Sequence, residues 1–409
     1  MKAAHTLVGL VVAVSALGCG DSQPEGTGNG GTGGAGSAPV DPDPLYVVAS
    51  LIQGTPVSAF AGFAESLDAD VEVDISDALE LPNNGQAIGP NRGNVLYVVD
   101  GNVPRITRFD FDDDGSLVQG DTVSAEGMTP SSMGANPGNF VFVSEDKAYA
   151  IDTFNANVVV WNPTDMVLRG SFDIGEITEE TSVGLISRNH VRRGNEIVFT
   201  LGYVRAVGYE SFSKIVFLDT ETDTITRIET VEGCSYAIHL FEDDNGDIYT
   251  GSVVTSVFNR LVGNPAGPEC VVRIPAGQYT PTDYATFPDK TGFPNAASLA
   301  QQQGSKAYIR ILDDSLVPDL SEFRPSEVNA LLAWRWGLVD LATDDPPRVF
   351  TELEPRSGSI AAYYVDGTTY SSESDRSAGS ARLVNLSGPD GPEPGVRVTG
   401  LVKHVFRVR

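Results

Sequence analysis

Short apolar runs recur in groups of four, about every fifty residues, from residue 43 almost to the C-terminus. These apolar runs have the length of strands and alternate with turns of Gly, Asp, Asn and Pro. This pattern is typical of short β-strands. A repeated unit of this size cannot bury its apolar faces alone and must stack on its neighbours. The pattern therefore predicts an all-β chain of packed, four-stranded units.

The first group is incomplete in a way that suggests how the units are arranged. It has only three runs, PLYVVASL, VSAFAGFA and DVEVDI, whereas the run KHVFRVR is left over at the C-terminus. A terminal strand that pairs into the first unit closes a ring and removes the exposed sheet edges. We therefore predict a seven-bladed β-propeller over residues 43–409, with the first blade closed by the C-terminal strand. Two β-sandwich domains are the alternative, but they do not explain the incomplete first group.

The N-terminal segment predicts export. Residues 1–18 contain Lys2 and then an apolar stretch too short to span a bilayer, which is the pattern of a signal peptide. The next residue, Cys19, resembles the lipidation site of bacterial lipoproteins, although Ala16 stands where that site usually has Leu. An ordinary cysteine after a plainly cleaved leader is the alternative. Residues 19–42 are Gly-rich and lack a hydrophobic period, so we expect a disordered tether after the lipidated cysteine.

The expected location follows from this leader and from the overall charge. Gly20 follows the cysteine where an inner-membrane retention signal usually has Asp, so we expect an outer-membrane lipoprotein facing the periplasm or the cell surface. The membrane is then a partner through the lipid anchor. The net charge of −28, from 27 basic and 55 acidic residues, excludes nucleic acid as a partner because polyanions are repelled. We expect a monomer.

The repeats resemble those of a known group of proteins. The phrase KIVFLDTETDTITRIE, two strands around an Asp-Thr turn, resembles repeats of the bacterial quinoprotein-like and lactonase-like seven-bladed propellers. The resemblance covers about residues 43–409 and implies the fold without fixing an activity. A lipoprotein leader followed by a propeller is also similar to myxobacterial propeller lipoproteins, some of them encoded beside siderophore genes. That similarity implies the handling of iron or of a metal chelate.

Three histidines and two cysteines are candidates for special roles. His190, His239 and His404 fall on the strands predicted to be innermost in blades four, five and one, so all three are placed to face the central channel. Such a set suits a transition metal, and the alternative is three histidines that each satisfy local hydrogen bonds. In an oxidising compartment Cys234 and Cys270 can form a disulfide. Two separate buried thiols are the alternative, because the sequence does not supply their separation.

A carboxylate-rich turn is the candidate calcium site. Asp110, Asp112 and Asp114 alternate before Gly115, and Asp121 stands at the twelfth place of such a loop. Alternating carboxylates let a tight loop wrap a hard cation such as calcium. Asp and Gly are also the ordinary residues of a solvated β-turn, which is the alternative interpretation.

Two tryptophans and several arginines are candidate ligand contacts. Trp334 and Trp336 are two residues apart on a predicted strand, so both point to one face, with Arg335 between them. They form either an aromatic wall for a planar ligand or filler between blades. Arginines stand out in so acidic a chain, and each either meets an anionic ligand or pairs with an acid; they are Arg192, Arg193, Arg205, Arg310 and Arg335.

The absence of familiar motifs shapes the functional hypotheses. The chain has no Gly-x-Ser-x-Gly elbow, His-Glu-x-x-His motif, P-loop or dinucleotide fingerprint. We therefore favour a non-enzymatic, membrane-tethered propeller that binds a small molecule, a metal chelate or siderophore, or an envelope protein. The alternative is a lactonase-like hydrolase that uses channel carboxylates and a divalent metal. A purely structural envelope factor is a third hypothesis.

Overall fold

The computed structural model describes most of the chain after the predicted tether. The described residues are 44–409 without 55–56, 92, 113–114, 130–132, 134–135, 207, 255–256, 258–268, 318–326, 329–330, 359–360, 376–377 and 389–390. Cys19 and Asp114 lie outside them, so the lipidation site and one member of the predicted calcium loop have no structural description.

Strands dominate the described residues, and some of them, such as Val95–Val99 and Ile248–Ser252, are buried along their whole length. The strands of the first half are β1 (Tyr46–Ile52), β2 (Ser58–Ala64), β3 (Glu72–Val73), β4 (Leu79–Leu81), β5 (Gln86–Ile88), β6 (Val95–Val99), β7 (Arg105–Phe111), β8 (Leu117–Ser124), β9 (Phe140–Ser144), β10 (Lys147–Asp152), β11 (Asn157–Asn162), β12 (Val167–Asp173), β13 (Val183–Ile186), β14 (Val191–Arg193) and β15 (Glu196–Val204).

The second half continues in the same way. Its strands are β16 (Tyr209–Asp219), β17 (Thr224–Glu232), β18 (Ala237–Glu242), β19 (Ile248–Ser252), β20 (Cys270–Ile274), β21 (Asp283–Thr286), β22 (Ala296–Gln303), β23 (Lys306–Leu312), β24 (Trp334–Asp340), β25 (Arg348–Val349), β26 (Ala362–Val365), β27 (Thr368–Asp375), β28 (Ser380–Asn385), β29 (Glu393–Thr399) and β30 (Leu401–Arg407).

Helices are short in this structure. The helix α1 (Phe287–Thr291) precedes β22, and 3-10 turns lie at Pro82–Asn84, Pro137–Asn139, Gly175–Ile177 and Asp314–Leu316. No helix of the described part of the chain is long and apolar enough to cross a membrane.

The strands form seven sheets arranged as the blades of a ring, which confirms the predicted seven-bladed β-propeller. From the axis outward, the first three blades are β30-β1-β2-β4, β5-β6-β7-β8 and β9-β10-β11-β12. In the fourth blade, β13 and β14 both pair with β15, which is followed by β16 and β17. The last three are β18-β19-β20-β21, β22-β23-β24-β25 and β26-β27-β28-β29-β3. A hydrophobic cluster fills each junction between neighbouring blades, so the core is a circle of interfaces.

The C-terminal strand closes the ring as predicted. β30 pairs antiparallel with β1, with Tyr46 opposite Arg407. Phe406 on β30 is buried in the cluster between the first two blades, whereas Val405 is buried in the cluster between the last blade and the first. One strand therefore contributes to the packing on both sides of the closure.

The run DVEVDI is not a strand of the first blade, which corrects that part of the prediction. Its two central residues form β3, which pairs parallel with β29 at the outer edge of the seventh blade, and β4 takes the outer place in the first blade. Val73 of β3 is buried in the cluster between these two blades. The chain thus crosses the closure a second time, and burial of Val73 explains why this segment leaves its own blade.

We expect Phe406→Ala to lower the free energy of unfolding by about 3 to 5 kcal/mol, because it removes a fully buried ring at the closure. Phe154→Ala is the matched control, since Phe154 is 68% exposed and its loss is expected to change stability by no more than about 0.5 kcal/mol. Urea unfolding of both variants measures the difference. Equal effects would contradict the packing described for β30.

Candidate functional site

A small cavity lies at the axis of the ring, where the inner strands of the first four blades meet. Its volume is about 30 Å³. The residues that line it come from these blades and from the loops beside them; they are Ile88, Gly89, Asn91, Pro137, Phe140, Phe142, Arg188, His190, His404 and Phe406. None of these lining residues is acidic, although the whole chain carries a net charge of −28.

The inner strands account for this lack of acid. Of the 55 acidic residues in the chain, the inner strands β5, β9, β13, β14, β18, β22, β26 and β30 contain only Glu242, which is the last residue of β18. Its carboxylate lies 4.0 Å from Arg193 Nε. The inner strands therefore carry almost none of the negative charge of the chain.

Two buried cations lie near the axis. Arg188, in the loop between β13 and β14, is 7% exposed, and Lys403 of β30 is 4% exposed. Lys403 Nζ donates hydrogen bonds to the carbonyl oxygens of Gly85 at 2.9 Å and Asn84 at 3.1 Å. Burial, and next the charge of Arg188, lower the pKa of Lys403 to about 8. A lysine is thus held at the axis by neutral carbonyl groups, within the field of a second cation.

The three histidines of the described chain are buried and neutral. Burial lowers the pKa of His190 to about 4, while burial and the charge of Arg188 lower the pKa of His239 and of His404 to about 3. We call Arg188, His190, His239, Lys403 and His404 the axial basic cluster. Its members come from blades one, four and five.

Hydrogen bonds fix the proton position in two of the rings. His190 Nε2 lies 2.8 Å from the carbonyl oxygen of Gly138 and donates to it, so the neutral ring keeps Nδ1 as an acceptor. His239 Nδ1 accepts from the backbone N–H of Leu299 at 2.9 Å, so its proton is on Nε2. That Nε2–H is buried and has no hydrogen-bond partner among the described residues, and the same holds for Nδ1 of His404.

The structure brings His190 and His404 to one cavity, but it does not form the predicted three-histidine metal site. Among the described residues, no three His, Cys, Asp or Glu side chains are grouped to hold a metal ion. The sequence showed that the three residues lie on or beside inner strands, but not their heights along the axis. His190 itself lies just before β14, which begins at Val191.

The carboxylates of the predicted calcium loop have other partners. Asp110 binds Arg108, with Oδ1 2.6 Å from Nη2. Asp112 accepts hydrogen bonds from the backbone N–H and the hydroxyl of Ser116, which makes it a turn residue between β7 and β8. Asp121 is exposed on β8. The described members of the loop therefore match the alternative of a solvated β-turn.

Trp334 and Trp336 do not form a ligand wall, because both side chains are buried. Trp334 Nε1 donates to the carbonyl oxygen of Val328, and Trp336 Nε1 donates to Glu373. The two rings belong to different hydrophobic clusters, so each fills space within the core. Arg335 pairs with Asp313 at 2.7 Å. These three residues therefore stabilise the sixth blade.

The other arginines noted in the sequence have partners within the protein. Arg205 pairs with Glu210 and Arg310 with Glu373, whereas Arg192 donates to the carbonyl oxygen of Val143. Sequence reasoning missed Arg188 and Lys403. The available signal was a basic residue within or beside an inner strand, as in SRNH and VKHV, but only the fold shows that both segments reach the axis.

Cys234 and Cys270 form a disulfide, with their Cα atoms 5.3 Å apart. Cys234 lies in the loop that leads from blade four to blade five, and Cys270 begins β20. Both are fully buried in the cluster between these two blades. The disulfide therefore reinforces a blade junction.

The neutral histidines predict how stability depends on pH. In the unfolded chain histidine protonates near pH 6.5, whereas the buried rings stay neutral to about pH 3 or 4, so stability is lost as pH falls below 6.5. Each ring contributes about 1.4 kcal/mol per pH unit between these limits. We expect His404→Gln to flatten the decline between pH 6 and pH 4.5 by about that amount, measured by urea unfolding. Above pH 7.5 the free energy of unfolding should change with pH equally in the unaltered protein and in His404→Gln. Equal slopes of the two proteins below pH 6 would contradict burial of a neutral ring.

Comparison with known proteins supports the fold. No protein-family model and no curated protein sequence matches the chain. A putative 6-phosphogluconolactonase from Bacteroides fragilis matches with a TM-score of 0.53 and 11% identity, over 91% of this chain and all of that one. A periplasmic gluconolactonase from Pseudomonas aeruginosa matches with a TM-score of 0.54 and 13% identity, over 90% of this chain and 99% of that one.

A third solved structure has a different description. It is a hypothetical selenium-binding protein from Sulfolobus tokodaii, with a TM-score of 0.55 and 12% identity, over 91% of this chain and 94% of that one. At such identities these likenesses show a shared propeller fold, and a shared fold does not establish a shared activity.

Proposed function

We propose that this protein is an extracytoplasmic binding protein that holds a small ligand at the axis of its propeller. The observation that carries the proposal is the axial cavity lined by Arg188, His190 and His404, with no acid among its lining residues. Nδ1 of His404, which lines this cavity, is buried without a hydrogen-bond partner among the described residues. A buried polar atom without a partner is costly in a stable core, so its position beside a cavity is typical of a binding site.

The sequence supports an extracytoplasmic location. The predicted signal peptide of residues 1–18 and the predicted lipidation site at Cys19 support a ring tethered outside the cytoplasm, as an outer-membrane lipoprotein facing the periplasm or the cell surface. One protein of similar fold is described as a periplasmic gluconolactonase. A disulfide between Cys234 and Cys270 also suits an oxidising compartment.

A thermal-shift screen of the purified full-length protein against sugar acids, lactones and siderophores tests the proposal. We expect a ligand to stabilise the protein by about 2.7 kcal/mol when its concentration is about 100 times Kd. Arg188→Met is expected to abolish this effect. Arg335→Met is the matched control, because Arg335 pairs with Asp313 away from the cavity and its loss should leave ligand binding unchanged. If no compound stabilises the protein, or if Arg188→Met responds as fully as the control, the proposal fails.

Lactone hydrolysis is the second candidate function. The described residues contain no cluster of carboxylates that could hold the divalent metal of such a hydrolase, and no acid lines the axial cavity. The observation that favours hydrolysis is different: two neutral imidazoles and a guanidinium line one cavity. A neutral imidazole can accept a proton from attacking water, and a guanidinium can stabilise the oxyanion that forms.

Release of acid from gluconolactone tests this second candidate. We expect hydrolysis above the spontaneous rate to be lost in His404→Gln and in His190→Gln and retained in Arg335→Met. Binding of the lactone without faster hydrolysis would support the binding protein and reject the hydrolase.

A further inference from the structure

We infer that the axial cavity binds the hydroxyl group of a small alcohol, with Asn91 accepting the hydrogen bond that this hydroxyl donates. The inference rests on the proposed function and names the chemical group that the binding site recognises. Its basis is the set of polar atoms on the residues that line the cavity, together with the lack of acid among those residues and the volume of the cavity.

Asn91 places a hydrogen-bond acceptor at the cavity. It lies in the loop between β5 and β6, and its Oδ1 is buried without a hydrogen-bond partner among the described residues. Asn94 holds this loop in place, since its backbone N–H donates to the carbonyl oxygen of Val408 at 2.8 Å and its Nδ2 to that of Phe111 at 2.9 Å. An amide oxygen only accepts hydrogen bonds. Oδ1 of Asn91 therefore needs a donor that comes from outside the chain.

The two histidines that line the cavity suit the same group. His190 donates from Nε2 to the carbonyl oxygen of Gly138, so its Nδ1 is a second acceptor. Nδ1 of His404 is buried without a partner among the described residues, and its neutral ring has one donor and one acceptor nitrogen. A hydroxyl group both donates and accepts, so it can bond Asn91 and a histidine nitrogen at the same time.

The lining residues disfavour charged groups. An ionised carboxylate only accepts, so it leaves Oδ1 of Asn91 unpaired and brings two acceptors together. An ammonium group donates, but no residue that lines the cavity is acidic, and a buried cation without an opposite charge is costly. A neutral donor is therefore the group that fits this lining.

The volume and the apolar wall of the cavity narrow the choice further. The volume of about 30 Å³ is close to the space that one water molecule occupies in the liquid, and a hydroxyl group fills such a space. The apolar lining includes the rings of Phe140, Phe142 and Phe406, which can contact the carbon atom that carries the hydroxyl. A water molecule fits the same cavity, and the alcohol displaces it on binding.

Three probes of similar size and different charge test the inference. Methanol, sodium formate and methylammonium chloride are added at equal ionic strength to the purified full-length protein labelled with 15N-histidine. The ring resonances of His404 are assigned from their absence in His404→Gln. We expect methanol alone to shift the Nδ1 resonance of His404 saturably, with a Kd on the order of 10 mM, which is the limit for a ligand of two non-hydrogen atoms.

A pair of asparagine variants locates the binding. Asn91→Leu removes the acceptor at the cavity and is expected to raise the Kd of methanol about tenfold or more. Asn102→Leu makes the same change at an exposed turn between β6 and β7 and should leave the Kd unchanged. Circular dichroism shows whether both variants are folded. If Asn91→Leu does not fold, the comparison of the three probes on the unaltered protein still decides.

Several outcomes would overturn the inference. A methanol response that never saturates, or that is equal in Asn91→Leu and Asn102→Leu, would mean that the cavity holds water only. Tighter binding of formate would mean that Arg188 attracts a carboxylate instead, and tighter binding of methylammonium would mean that the site accepts a cation.

The failure of this inference can be told apart from the failure of the proposed function. If methanol does not bind but the screen yields a ligand that depends on Arg188, the axial binding protein stands and recognition of a hydroxyl is rejected. If neither methanol nor any screened ligand binds, both are rejected.

Discussion

The pairing of β30 with β1 is the contact on which the rest of the structure depends. Each blade buries its two faces against its neighbours, so an open ring would expose a face and a strand edge at each end. The closing strand fills the inner place of the first blade, and β3 crosses in the opposite direction to cover the outer edge of the seventh. The closure is thus made at both the inner and the outer radius of the ring.

The axial basic cluster exists only because of this closure. Lys403 and His404 belong to the closing strand, whereas Arg188 belongs to the fourth blade, in the middle of the chain. These residues meet only when all the blades stand around one axis. The same strand therefore stabilises the fold and supplies part of the candidate site.

The repeat of strand groups was sufficient to predict the propeller and its closure, because alternation reports which side chains are buried. The repeat did not predict strands whose residues are not typical of strands, or strands whose partners are distant in the sequence. β22 reads AASLAQQQ, whose small and polar residues do not resemble a strand, yet it lies innermost in the sixth blade. β3 has the alternation of a first-blade strand, but its partner is distant in sequence.

The candidate site was harder to predict than the fold. Sequence reasoning selected tryptophans and acids by residue type, and these proved to be core residues and turn residues in the described structure. The histidines were placed correctly near the inner strands, but their heights along the axis depend on the break between β13 and β14 and on the register of β30. Arg188 belongs to no functional motif, and only the folded ring shows that it lies beside an inner strand.

The order of synthesis gives the closing strand a consequence for biogenesis. β1 emerges first, and its partner β30 emerges after all the other blades, nearly the whole chain later. At about 5 to 20 residues per second, the first blade waits on the order of tens of seconds with an unpaired edge. The ring can therefore close only after the last blade has been made.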